Sequence, residues 1–233
     1  MDFAKKHTNV YFSCGMAPQT VTYTQPSQYK SELKQWKDIV EKNLDHIIVF
    51  GELGLDFHHA KTLKKREQQI LELENILSYI KDKGKPTVLH VRNAGPRDID
   101  NDNKNHEYND QDAATRKIVE LLEKHKFDLN QVLFHCFSGP PEMNQELVKK
   151  GFRFSVPSSA FGQKRWYKMS KSIPLDRLVT ETDSPFQHPY LFKPTNTPSN
   201  ARYAVAAIAH SHNKTQEEVG KITVLNAKKF FQI

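Results

Sequence analysis

Short runs of β-branched and aromatic residues alternate along the chain with longer stretches whose apolar positions recur every three to four residues. Residues 10–14 read as a strand. A helix over 30–42 follows, with Leu33, Trp36, Ile39 and Val40 on one face. Residues 47–50 form the next strand. Residues 66–83 then place Ile70, Leu73, Leu77 and Ile80 at helical spacing, and Gly84 is expected to stop that helix. The alternation continues with strands at 87–91, 132–134, 152–156 and 177–180. Helices are predicted at 112–124, 141–150, 163–172, 204–209 and 217–231.

Six strand–helix units in series predict a parallel sheet with crossover helices, in one α/β domain over residues 1–233. A doubly wound sheet and a TIM barrel both satisfy that pattern. The barrel is favoured because chemically capable residues follow almost every strand, and barrel sites draw on several strand ends at one face. A complete barrel needs eight units, so about six of eight are present and the N-terminal side is incomplete. Open edges at 10–14 and 177–180 would then invite pairing with another chain, which makes self-association an expectation; the oligomeric state itself is left open.

The stretch 97–112 breaks the rhythm and reads as a solvated loop, expected to form a substrate-facing flap. Its Asp98, Asp100 and Asp102 are spaced as in a calcium loop. Asn103 stands where such a loop needs glycine, and Asn109 where it needs a bidentate glutamate.

Composition changes this picture little. Hydrophobic residues make up 37% and charged residues 26%, as in an ordinary globular chain. No apolar run approaches the length of a membrane span, so no membrane partner is expected. Cys14 and Cys136 make no disulfide framework, which suits a cytoplasmic or nuclear setting. A net charge of +7 favours anionic partners such as nucleic acid, although exposed lysines on helix faces would produce the same excess.

Four segments carry candidate chemistry. Gly51-Glu52-Leu53-Gly54-Leu55-Asp56 follows the second strand, and His90-Val91-Arg92 ends the third. His135-Cys136-Phe137-Ser138-Gly139 follows the fourth, and Glu181-Thr182-Asp183-Ser184-Pro185 the sixth. Singly, each has a bland reading: a loop cap for Glu52, satisfied core histidines for His90 and His135, a turn residue for Asp183. Together they form a set of imidazoles and carboxylates that a barrel would bring to one rim. Such a set suits zinc, manganese or magnesium with bound water. A cation held so would acidify its water and polarise a phosphoryl oxygen.

GELGLDFH, LHVRNA, FHCFSG and ETDSPF, with FSCGMAP upstream and NTPSN downstream, resemble the TatD family of metal-dependent deoxyribonucleases in order and spacing across essentially the whole chain. The resemblance implies an amidohydrolase-like TIM barrel that hydrolyses phosphodiester bonds of DNA, as an exonuclease, with one or two divalent ions. It implies Glu52, His90, His135 and Asp183 as metal ligands. Glu52 would bridge two ions, and Asp183 would also help deprotonate the attacking water, which makes Glu52 and Asp183 the catalytic pair. Arg92 matches an arginine able to clamp a phosphate through its planar fork. His58, on the flanking loop, is a candidate for contact with the scissile phosphate.

Two departures bear on activity. The family's opening His-x-His strand has no counterpart here, and residues 10–14 align with the family's third strand. The family's Gly-x-His-Pro reads Gly15-Met16-Ala17-Pro18, and Ala17 can neither ligate nor transfer a proton. The alternative reading is therefore a catalytically impaired barrel that binds nucleic acid or a protein. A third keeps hydrolysis but changes the substrate to an amide or ester.

Overall fold

A computed structural model describes residues 4, 6–98, 101–190 and 195–233. The chain divides into two compact units, Met1–Asp128 and Leu129–Ile233. Each is a run of parallel strands with helical crossovers.

In the first unit, β1 (Phe12–Cys14), β2 (Ile47–Asp56) and β3 (Thr87–Arg92) pair in parallel, in chain order. Helices α1 (Pro18–Tyr23) and α2 (Pro26–Asn43) join β1 to β2, and α3 (Leu63–Ile80) joins β2 to β3. Both α1 and α2 open with a proline, whose fixed φ and missing N–H suit the first helical turn. Thr62 caps α3 by accepting from the Lys65 backbone N–H. Helix α4 (Ala113–Lys124) closes the unit. Trp36, Phe50, Leu53, Leu55, Leu73, Leu77 and Ile118 form its buried core.

The second unit repeats the scheme with β4 (Val132–His135), α5 (Pro141–Lys150), β5 (Arg153–Val156), α6 (Lys164–Ser172), β6 (Leu178–Thr180), α7 (Ala201–His212) and α8 (Gln216–Phe231). β4 pairs with β5, and β5 with β6, all parallel. Gly151 ends α5 at φ 111°, a left-handed cap that only glycine adopts cheaply. A capping box between Thr215 and Glu218 starts α8. Phe134, Phe137, Phe152 and Phe154 stack into an aromatic core with centroids 4.9–6.0 Å apart.

Three differences from the sequence reading matter. First, β2 does not stop at Phe50 but runs through the glycines to Asp56, so Glu52 and Asp56 are strand residues and not loop residues. Second, α3 ends at Ile80, and Gly84 lies beyond it at φ 67° in the turn before β3.

Third, residues 97–112 are not simply a solvated loop. They contain two 3-10 turns, Asn101–Asn103 and Glu107–Asn109, and are tied down by Arg66. That arginine is fully buried at the start of α3. It donates to the carbonyls of Ala60 (2.9 Å), Phe57 (3.4 Å) and Tyr108 (2.7 Å), to that of Asp98, and to Asn109 Oδ1 (2.6 Å). The Asp98 carboxylate accepts from Lys61, His58 and the Gly95 amide, so it faces inward and not toward a loop cation. Asp100, the middle of the calcium-like spacing, lies outside the described residues. No helix among the described residues is long and apolar enough to cross a membrane.

Candidate functional site

Strand alternation decides which groups of the first unit can meet. Glu52, Gly54 and Asp56 are two residues apart in β2, so they share a face, and Gly54 stands opposite His90 in the β2–β3 register. His90 therefore sits between the two carboxylates. Its Nδ1 lies 3.7 Å from Glu52 Oε2, and its Nε2 lies 3.2 Å from Asp56 Oδ2. The approach depends on Gly54, because a Cβ there would meet the His90 carbonyl oxygen at 1.8 Å. Gly15, at the end of β1, permits a second close approach: a Cβ would lie 2.3 Å from the Gly51 carbonyl carbon.

Asp56 is fully buried and is the most heavily bonded carboxylate of this region. It accepts from Gln19 Nε2 (2.7 Å) and from the backbone N–H (3.0 Å) and Nδ1 (2.7 Å) of His59, besides its contact with His90. Burial would push its carboxyl up, but the hydrogen bonds from His90 and His59 overcome that and hold it below the usual carboxylate range. Gln69, buried on α3, accepts from the Asp56 amide at 2.8 Å and donates to Thr22 Oγ1 and to the Pro18 carbonyl. Glutamine and threonine side chains thus lock α1, α3 and β2 around this one carboxylate.

Of the two expected substrate-binding residues, Arg92 is exposed at the end of β3, where its Cα is in register with that of Asp56. His58 is half-buried and directs Nδ1 to Asp98 Oδ2 at 2.8 Å.

In the second unit, His135 ends β4 with Nδ1 3.0 Å from Glu181 Oε2. The other oxygen of Glu181 accepts from the Cys136 amide at 2.9 Å. Asp183 stands two residues further on, at φ 58°, a left-handed conformation that aspartate tolerates better than most residues. Asn196 holds the loop around it. The Nδ2 of this buried side chain lies within hydrogen-bond reach of the carbonyls of Thr182 (2.7 Å), Phe186 (2.7 Å) and Gln187 (3.2 Å) and of Ser158 Oγ (2.8 Å), which share its two N–H groups.

Removing that amide would leave buried carbonyls without their donor. Asn196→Ala should cost about 2 kcal/mol of stability, at roughly 1 kcal/mol for each of the two N–H donors lost. Denaturant unfolding would show a lowered midpoint with an unchanged slope; an unchanged midpoint would mean that water or another donor replaces Asn196.

The two histidines share an arrangement that the sequence reading missed. Each has one ring nitrogen on a carboxylate, Asp56 for His90 and Glu181 for His135. Carboxylate-backed imidazoles are the usual outer support of metal-binding histidines, because the carboxylate fixes ring orientation and raises ligand basicity. The donor set of carboxylates and carboxylate-oriented imidazoles therefore fits a divalent cation of the zinc, manganese or magnesium type.

Comparison with known proteins agrees. The profile of the family described as TatD related DNase matches residues 1–232. The chain is 30% identical over 192 residues to an uncharacterized metal-dependent hydrolase, YabD, of Bacillus subtilis, covering 81% of this chain and 67% of that protein. It is 30% identical over 195 residues to human deoxyribonuclease TATDN3, covering 83% of this chain and 63% of the human protein. Among solved structures, the TatD homologue YJJV of Escherichia coli K12 superposes with a TM-score of 0.77 at 19% identity, over 100% of this chain and 80% of that one. A TatD-family hydrolase of Entamoeba histolytica gives 0.73 at 19% identity, over 98% and 78%. The fold is thus the expected α/β class, an incomplete TIM barrel of parallel strands and crossover helices. The chain belongs to the TatD-related DNase family and is a hydrolase.

Proposed function

We propose that this chain is a metal-dependent deoxyribonuclease that hydrolyses phosphodiester bonds of DNA by attack of water, working as an exonuclease. The observation that carries the reading is the pairing of each strand-end histidine with a carboxylate, Asp56 or Glu181. With those ring nitrogens engaged, His90 would ligate through Nδ1 and His135 through Nε2. Glu52, His90 and His135 would each offer one donor atom to a cation. Glu52 would also face a second ion shared with Asp183. A divalent ion bound there supplies Lewis acidity, acidifying water and polarising a phosphoryl oxygen. Asp183 takes the proton of the attacking water. Arg92 pairs its planar fork with non-bridging phosphate oxygens. His58, held through Nδ1 by Asp98, presents its other ring nitrogen toward the substrate strand.

A second reading, a barrel that binds nucleic acid without cleaving it, is favoured by Ala17, which occupies the position of the family's Gly-x-His-Pro histidine. One experiment separates the two. The protein is stripped with chelator, reloaded with magnesium, manganese or zinc, and assayed on end-labelled single- and double-stranded DNA. The expected result is hydrolysis that needs the ion and shortens the DNA from one end. The double substitution Glu52→Ala with His135→Ala should abolish metal uptake by elemental analysis and bring cleavage to background, with circular dichroism retained. Full metal content in that variant would overturn the ligand assignment. DNA binding without cleavage by the loaded wild type would favour the second reading.

A further inference from the structure

Charge is divided unevenly along the chain. Residues 1–128 carry 20 Lys and Arg against 20 Asp and Glu, so the whole net charge of +7 lies in residues 129–233. Within the second unit it is concentrated again. Residues 147–175 hold seven Lys and Arg, residues 184–216 hold three, and neither segment contains a carboxylate side chain. These segments include the loop after β5 with α6, and the loop after β6 with α7. The two helices are joined by a ring contact of 5.2 Å between Tyr167 and His210, and by a 2.8 Å hydrogen bond between the Ser170 and Ser211 hydroxyls.

The same loops display aromatic rings to solvent. Phe161 lies 5.2 Å from Tyr203 and 6.3 Å from Tyr190, and the two tyrosines lie 5.4 Å apart, centroid to centroid. Phe161 is 38% and Tyr190 49% exposed. The Arg202 guanidinium lies 5.1 Å from the Tyr203 ring centre. Beside this cluster is a cavity of about 430 Å³, walled by Phe161, Lys164, Tyr167, His210 and small alanines. An exposed group of rings costs free energy unless a partner covers it. Here the surrounding charge is of one sign, so the partner is anionic. Flat apolar rings among cations suit a ligand that alternates π-faces with phosphates.

We propose that this surface binds single-stranded DNA through residues other than the proposed metal ligands. Unpaired bases stack on Phe161, Tyr190 and Tyr203 and enter the neighbouring cavity, while phosphates meet Arg202 and Lys164. The inference rests on the DNA reading above and extends it by giving the strand a binding track. Duplex DNA is disfavoured because its bases are already stacked on one another and cannot present their faces to the rings. Both loops follow the C-terminal ends of their strands, the end at which barrel enzymes bind substrates and at which Asp183 stands.

The test measures binding in the presence of chelator, so that cleavage plays no part. Anisotropy of a labelled oligothymidine of about 12 nucleotides, within the site sizes common for such platforms, is compared with that of a blunt duplex of equal length. The wild type should prefer the single strand about tenfold or more. Phe161→Ala with Tyr203→Ala should weaken single-strand binding by about tenfold or more, as expected for lost base stacking, with thermal midpoint and metal uptake unchanged. The ring-conserving pair Phe161→Tyr with Tyr203→Phe should bind as wild type. Lys164→Ala should flatten the salt dependence by roughly one phosphate contact. Undiminished binding in the alanine pair, or equal affinity for the duplex, overturns the proposal. Loss of binding in the alanine pair together with no metal-dependent cleavage by the wild type would sink the nuclease reading and leave this one standing.

Discussion

Gly54→Ala should give a chain that no longer folds to a stable state. The position fails on two independent grounds. Its φ of 146° lies where a side chain is strained, and its Cβ would sit 1.8 Å from the His90 carbonyl oxygen and 2.9 Å from the carbonyl carbon. The colliding atoms are backbone atoms of a strand paired to β2 through the neighbouring residues, so no rotamer change relieves them. The sheet must open or β3 must shift. Either outcome disrupts burial of Leu53, Leu55 and Leu89, all fully buried. A loss of about 4 kcal/mol or more is expected, within the range reached by overpacking and backbone strain. Thermal unfolding followed by circular dichroism would show a broad, early transition or none. A midpoint within a few degrees of wild type would mean that β2 and β3 are not paired this closely at Gly54. Gly15→Ala should act similarly through the Gly51–Glu52 backbone, 2.3–2.5 Å from its Cβ.

The same glycines explain what was legible in the sequence and what was not. The strand–helix alternation survives element by element because it rests on hydrophobic period, and Leu73, Leu77 and Ile80 of α3 are buried as the period predicts. In α2 the period puts Ile39 on the face of Trp36 and Val40, yet Ile39 is 43% exposed, and α1, six residues long, is too short to show a period. The far half of β2 was hidden because glycine in an apolar run usually marks a turn or bulge. Here the glycines admit neighbouring backbone instead, and the strand continues to Asp56. Once that is known, Asp56 follows from parity alone: Glu52, Gly54 and Asp56 must share the face of His90. Glu181 had no comparable signal, since its contact with His135 spans 46 residues and depends on how β6 leaves the sheet. Arg66 was hidden for a similar reason. An arginine opening an amphipathic helix reads as solvated, yet its partners come from a segment about 40 residues away that has no apolar period of its own.

Asp183→Asn should leave the fold intact and reduce DNA hydrolysis by about a hundredfold or more, the contribution expected of a positioned base. The substitution isolates charge from shape. Asparagine is nearly isosteric and tolerates φ 58° at least as well as aspartate, so the loop after β6 keeps its backbone. The loop is also anchored by the Asn196 amide and the Ser158 hydroxyl, which bond the Thr182 and Gln187 carbonyls. What disappears is the negative charge, and with it the proposed ligand for a second ion and the proposed acceptor for the proton of the attacking water. Rate and binding should therefore separate. Single-turnover cleavage of labelled DNA should fall by two decades or more. Affinity for single-stranded DNA measured in chelator, and the thermal midpoint, should stay at wild-type values. Raising the metal concentration would restore part of the rate if Asp183 acts chiefly as a ligand, and none of it if it acts chiefly as the base. A variant that cleaves at the full rate would show that Asp183 does neither, and that its left-handed turn serves only to carry the chain from β6 into the loop held by Asn196.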